Sequence, residues 1–265
     1  MTSSMTFEYA QARLQSRHGA RLDRATWIRL FTSRDLSHFL ESARRTALQP
    51  YLQHLDARAD SHGIERGLRR EVREHIEEVA GWVPSRWRPS VRFTRWLVDL
   101  PAVARLLEDG PPPTWTLEDP VLAPFAADDL DARRGALLAS ELAFLVPSGP
   151  GGGEPGDREP RAVFLETWRG LLPALPSGGR AEALALAGEV EAHLEEMEAV
   201  EDRVDGWNLR VKLEVDLARR VRRQSARPVA VFAHLLLFAL EIERLRGALV
   251  RRALFPHVPA DPSWA

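Results

Sequence analysis

The chain has 265 residues, 45% hydrophobic and 28% charged, a composition that excludes a disordered segment and leaves room for a sizeable core. Thirty-six basic residues against 38 acidic ones give a net charge of -2, which removes the simplest argument for a nucleic-acid partner. The absence of cysteine excludes disulfides, zinc–thiolate sites and thiol nucleophiles.

The opening MTSSMTFEYA has neither a basic n-region nor an apolar h-region, so no cleaved signal is expected. Phe7, Ala10 and Leu14 share one face of an amphipathic helix that should stop near Gly19. Asp23 is placed to cap a second helix bearing Trp27, Leu30 and Phe31. Thr32 or Ser33 is expected to cap a third, with Leu36, Phe39, Leu40 and Ala43 as its buried stripe, and Pro50 suits the first turn of a fourth. Ser61 to Trp82 carries Ile64, Leu68, Val72, Ile76 and Val79 at helical spacing.

Prolines interrupt Gly110 to Pro124, so that stretch is not helical throughout. Residues 147–160, PSGPGGGEPGDREP, read as a flexible linker between residues 1–146 and 161–265. Arg180 to Gln224 predicts two helices or one bent rod, with Gly206 as the expected break. Pro228 opens a last helix running to about Leu254, which contains the most apolar run of the chain, Val229 to Leu240. That run is too short to span a bilayer and reads as a buried helix. Strand signals are nearly absent, and the expected fold class is all-α, a multi-lobed helical bundle.

Few residues suggest chemistry. Glu71, His75 and Glu78 repeat at i, i+4, i+7, as do Glu189, His193 and Glu196, and two such helices facing each other would have ligands for metal. The di-iron carboxylate pattern needs Glu-x-x-His, whereas Val72 and Val190 fill those positions; both triplets therefore read as solvated surface. No nucleophile elbow or phosphate loop occurs. His234 reads as a buried histidine bonded to a backbone carbonyl. Trp82, Trp87 and Trp96 lie among arginines, an arrangement able to stack on bases, yet core packing with cation–π contacts suits the charge balance better. Lys212 is the single lysine, and so large an arginine bias reads first as a GC-rich genome. The densest basic cluster, Ala218 to Arg227, sits at a helix C-terminus, where cations are favoured in any case.

The two ends of the chain resemble a known family. YAQARLQSRHGARLDRATWIRLFTSRDLSHFLESARRTALQPYL is similar to the opening of the C/d-type central-stalk adaptor of V- and A-type rotary ATPases. The matching positions include Tyr9, Ala10, Ala12, Arg13, Leu22, Leu30, Asp35, Leu36, Thr46 and Tyr51. RPVAVFAHLLLFALEIERLRGALV resembles the last long helix of that family, through Glu241, Glu243, Leu245 and Arg246. Between the ends the chain departs from the pattern, with Pro101 and Ala102 where the family has a polar helix core. The resemblance implies a funnel-like helical adaptor with no catalytic residue, cofactor or metal of its own. Its implied partners are the central-shaft subunits and the membrane proteolipid ring of a bacterial rotary motor, coupling ion or proton transport to ATP hydrolysis or ATP synthesis. Such an adaptor is cytoplasmic, held at the membrane through the complex, without a span of its own and without nucleic acid. The residues alone leave two other readings open: an all-α scaffold or regulator that binds protein through arginine-rich faces, and a helical metalloenzyme using Glu71, His75, Glu189 and His193.

Overall fold

The computed structural model describes residues 7–33, 35–146, 159–174 and 178–255. Most of the expected linker, 147–158, lies outside the described residues. Among the described residues every regular element is a helix or a 3-10 turn, so the chain is all-α. In chain order, α1 (Phe7–Gly19), α2 (Arg24–Phe31), α3 (Leu36–Ala43) and α4 (Ser61–Trp82) are followed by shorter helices. These are α5 (Arg88–Phe93), α6 (Leu100–Leu106), α7 (Thr114–Leu117), α8 (Leu130–Leu138) and α9 (Pro160–Leu171). Three long helices close the chain: α10 (Gly179–Glu198), α11 (Arg203–Arg223) and α12 (Pro228–Leu254).

The helix starts follow local chemistry. Asp23 accepts the Thr26 N–H at the start of α2, as expected, but α3 is capped by Asp35 through the His38 N–H and not by Thr32 or Ser33. Thr32 instead ends α2, where its hydroxyl donates to the Arg29 carbonyl. The break between α10 and α11 falls at residues 199–202 rather than at Gly206, because Asp202 is there to accept the Val204 N–H. Gly206 lies inside α11, where a Cβ would meet Met197 and Val200 of the preceding helix and loop at 3.8 Å, an ordinary van der Waals contact.

The chain forms two compact units that cut across the expected division into 1–146 and 161–265. One unit joins residues 1–91 to 173–265, and the other comprises 92–172. The reason is α12. It is the longest helix among the described residues, and its first half, Val229 to Phe238, is buried on nearly every side. It therefore needs neighbours all round, and it finds them in α1, α3, α4, α10 and α11. The N-terminal helices supply half of that jacket, so they belong with the C-terminal ones. At the base of the bundle, Gly179 lets α10 approach α12 and the Trp87 ring closely: a Cβ there would lie 2.8 Å from Pro228 Cγ.

Arginines fasten the elements by their carbonyl-seeking forks. Arg252, buried on α12, donates to the carbonyls of Phe31, Ser33 and Ala248 and lies 4.3 Å over the Phe39 ring. It thereby satisfies the orphan carbonyls at the end of α2. Burial pulls its pKa down to about 10, which still leaves it charged at neutral pH. Gln11 and Gln15 of α1 both donate to the Val221 carbonyl, and Gln11 also accepts the N–H of Ala226, a residue at φ 57° in the turn before α12.

The smaller unit packs α6 and α9 around Phe93, Phe144 and Phe164, with the Phe93 and Phe164 rings stacked at 4.8 Å. Arg133, buried on α8, donates to the carbonyl of Gly110 and so ties that helix to the proline-rich loop. Trp82, Trp87 and Trp96 are all buried, Trp96 under the Arg95 guanidinium, in agreement with the packing reading and not with base stacking.

Candidate functional site

The residues that carry the family resemblance occupy the larger unit, where most of them are joints between helices. Tyr9 and Arg13 form an exposed pair on α1, with Arg13 donating to the tyrosine oxygen. Asp35 is the α3 cap, and the Thr46 hydroxyl donates to Ala43 while accepting the Leu48 N–H, shaping the turn toward Tyr51. The Tyr51 ring lies 5.1 Å from Phe238 of α12, and burial pushes its hydroxyl up to about 12. Glu243 accepts from Arg210 of α11, and Arg246 donates to Glu65 of α4. Glu241 is buried, its carboxyl raised by desolvation and opposed by Arg21, whose Nε is 3.7 Å away.

Around Glu241 lies a charged lattice that no local sequence pattern announces. Arg21, in the α1–α2 turn, donates to Glu214 of α11 at 2.7 Å, and Glu214 also pairs with Arg244 of α12 at 3.3 Å. Arg244 sits between the rings of Trp27 and Trp207, at 5.4 and 5.3 Å. Burial lowers the pKa of Arg244, and the nearby Glu214 charge opposes that shift. Because α1, α2, α11 and α12 each contribute, the lattice fixes their register.

The first acid–histidine triplet departs from the expected solvated surface at two of its residues, whereas Glu189 and Glu196 of the second are exposed as expected. Glu71 and His75 are buried on α4, since they face α12 and the turn before α4. His234 does not bond to a backbone carbonyl as its main contact; its Nε2 lies 3.0 Å from Nε2 of His75. The Nδ1 of His75 is 3.4 Å from Glu78, which Arg17 also holds at 2.9 Å. The two Nε2 atoms face each other, so one ring donates and the other accepts, according to tautomer. Glu78 is held down at about 2, first by the His75 hydrogen bond and then by Arg17. His234 is driven well below the usual imidazole value by burial, with His75 and nearby arginines adding to it. The second triplet does not join the first: Glu189 is engaged by Arg220, and among the described residues the one group with metal-ligand spacing is His54, Glu71 and Glu74. The four-residue metal set of Glu71, His75, Glu189 and His193 is therefore not assembled.

Most of the basic cluster around 218–227 is spent on this chain's own acids. Arg219 pairs with Asp216, Arg220 with Glu189, and Arg227 with Glu182. The face of α11 turned away from α12 is more open. Val204, Asn208, Val211, Val215, Ala218 and Arg222 follow one another at alternating spacings of four and three along it. Val204, Val211 and Val215 are 64%, 38% and 48% exposed, Asn208 and Arg222 are exposed, and Ala218 is half-buried. Such spacing is the seam of a two-stranded coiled coil, and one asparagine within it is the usual register-fixing device. This seam is the candidate site. The other apolar face of α11 carries Leu209, Leu213, Leu217 and Val221, half-buried or buried inside the unit. No helix among the described residues is long and apolar enough to cross a membrane. Comparison with protein-family models, with curated proteins and with solved structures finds no match for this chain.

Proposed function

We propose that the protein is a non-catalytic helical adaptor that receives a helix of another protein along α11, as a central-stalk component of a V-type-like rotary ATPase would. The observation that carries this reading is the solvent-facing heptad seam of Val204, Asn208, Val211 and Val215, which has the spacing of a coiled coil but no partner helix among the described residues. The opposite face of the same helix is locked to α12 by Arg210 and to α1 by Gln11 and Gln15, so the seam rests on a stiff support. The rotary-motor assignment is supported by the two family-like segments, which are remote in sequence yet pack together as α1 and α3 against α12. In that role the chain transmits torque between shaft and proteolipid ring and performs no chemistry of its own. It sits at the membrane only through the complex.

The test is affinity purification of the tagged full chain from its native cells. Recovery of rotary-ATPase shaft and ring subunits is expected, with shaft recovery lost in Val211→Glu/Val215→Glu while the far-UV spectrum stays unchanged. A chain recovered without any other rotary-ATPase component refutes the assignment.

A further inference from the structure

We infer that His54, Glu71 and Glu74 form a three-ligand site for Zn2+ or a similar borderline divalent ion, with a fourth position left to water. One Nε2 or Nδ1 of His54 and one carboxylate oxygen from each glutamate lie within 4.8 Å of one another. Glu71 and Glu74 are one turn apart on α4, so they share a face. His54 reaches that face because its turn is fixed from two sides. Leu55 packs where Gly67 of α4 has no side chain, since a Cβ there would come within 2.5 Å of Leu55 Cδ2, and Arg44 donates to the carbonyls of Leu52 and Leu55.

Glu71 points to a missing cation. It is 8% exposed, and its Oε1 is buried without a hydrogen-bond partner, directed at His54 Nε2 3.8 Å away. A buried carboxylate oxygen left without a hydrogen bond is costly. A metal ion removes that cost. Metal–ligand bonds of about 2.0–2.1 Å put tetrahedral ligand atoms about 3.3 Å apart, so closure asks for movement of about 1.5 Å at most. His54 and Glu74 are both exposed at their side chains and can make that movement. Arg70, 4.0 Å from Glu74, is the competing cation, and this exposed contact is weak. One imidazole with two carboxylates suits zinc rather than calcium or magnesium, which prefer all-oxygen shells. Bound metal would staple the turn before α4 onto the helix at its buried carboxylate. None of this depends on the adaptor reading.

The full chain, stripped with chelator and dialysed, is titrated with Zn2+ by calorimetry and with Co2+ by visible absorption. One equivalent of Zn2+ is expected, with a tetrahedral Co2+ spectrum. His54→Ala and Glu71→Gln are each expected to weaken binding at least tenfold. The first changes an exposed side chain, and the second removes a buried charge without changing shape, so thermal melts should find both folded. Absence of stoichiometric binding, or binding that survives both substitutions, overturns the site.

Discussion

Replacing His234 by leucine should remove a pH dependence that the wild-type fold cannot avoid. The His234 ring is 5% exposed and hydrogen-bonds to the His75 ring, and burial drives its pKa well below the usual imidazole value. In the unfolded chain the same imidazole takes a proton near pH 6.5. The folded pKa is depressed, so the unfolded state binds more protons below pH 6.5 and stability falls as the pH falls. A ring that stays neutral at pH 5.0 forfeits about 2 kcal/mol relative to pH 7.5, from the 1.5 pH units below the unfolded value at about 1.4 kcal/mol each. Urea titrations at the two pH values give both free energies. His234→Leu should lose about 2 kcal/mol less than wild type across that interval, because the other acids and histidines titrate in both proteins. At pH 7.5 the variant should be about 1–2 kcal/mol weaker than wild type, since His75 Nε2 is left without its partner. Equal losses in the two proteins would refute a neutral, buried His234.

Further outcomes follow from other joints. Arg252→Met keeps the packing stem but strands the carbonyls of Phe31 and Ser33; a loss of about 2–4 kcal/mol is expected, read as a lower urea midpoint at unchanged slope. Gly179→Ala has competing effects: alanine favours helix by about 1 kcal/mol, but its Cβ would meet the Pro228 ring at 2.8 Å and Trp87 at 3.4 Å. Both obstacles are rings with little freedom, so a net loss of about 1–3 kcal/mol should appear in the same titration, and a gain would deny the close approach. Val215→Glu, on the open face of α11, should leave the melting temperature within about 2 °C of wild type, because a 48% exposed side chain gives up little buried area. A large loss there would mean that the seam is already covered within the chain.

Helix placement is legible in the residues because period and capping are local. Asp23, the Ser61–Trp82 stripe and Pro228 each mark an element where the structure has one. The end positions that carry the resemblance turn out to include caps and interhelical pairs rather than a single site. Sequence and structure part where two local signals compete. Thr32 and Asp35 are both capping residues, and Asp35 wins because the α2 turn ends at Thr32. Gly206 has the chemistry of a break, but the cap at Asp202 has already restarted the helix.

The amino-acid sequence by itself thus determined an all-α chain, the limits of α4 and α12 and the lack of thiol chemistry, because backbone propensity, capping and composition act over a few residues. Only the tertiary structure decided which surfaces those helices spend. It put His75 against His234, 159 positions apart, Arg21 among Glu214, Glu241 and Arg244, and His54 beside Glu71. It also left one valine seam of α11 open while burying the other apolar face. Burial of a helix face depends on what packs against it, and for α12 that meant recruiting both ends of the chain into one unit.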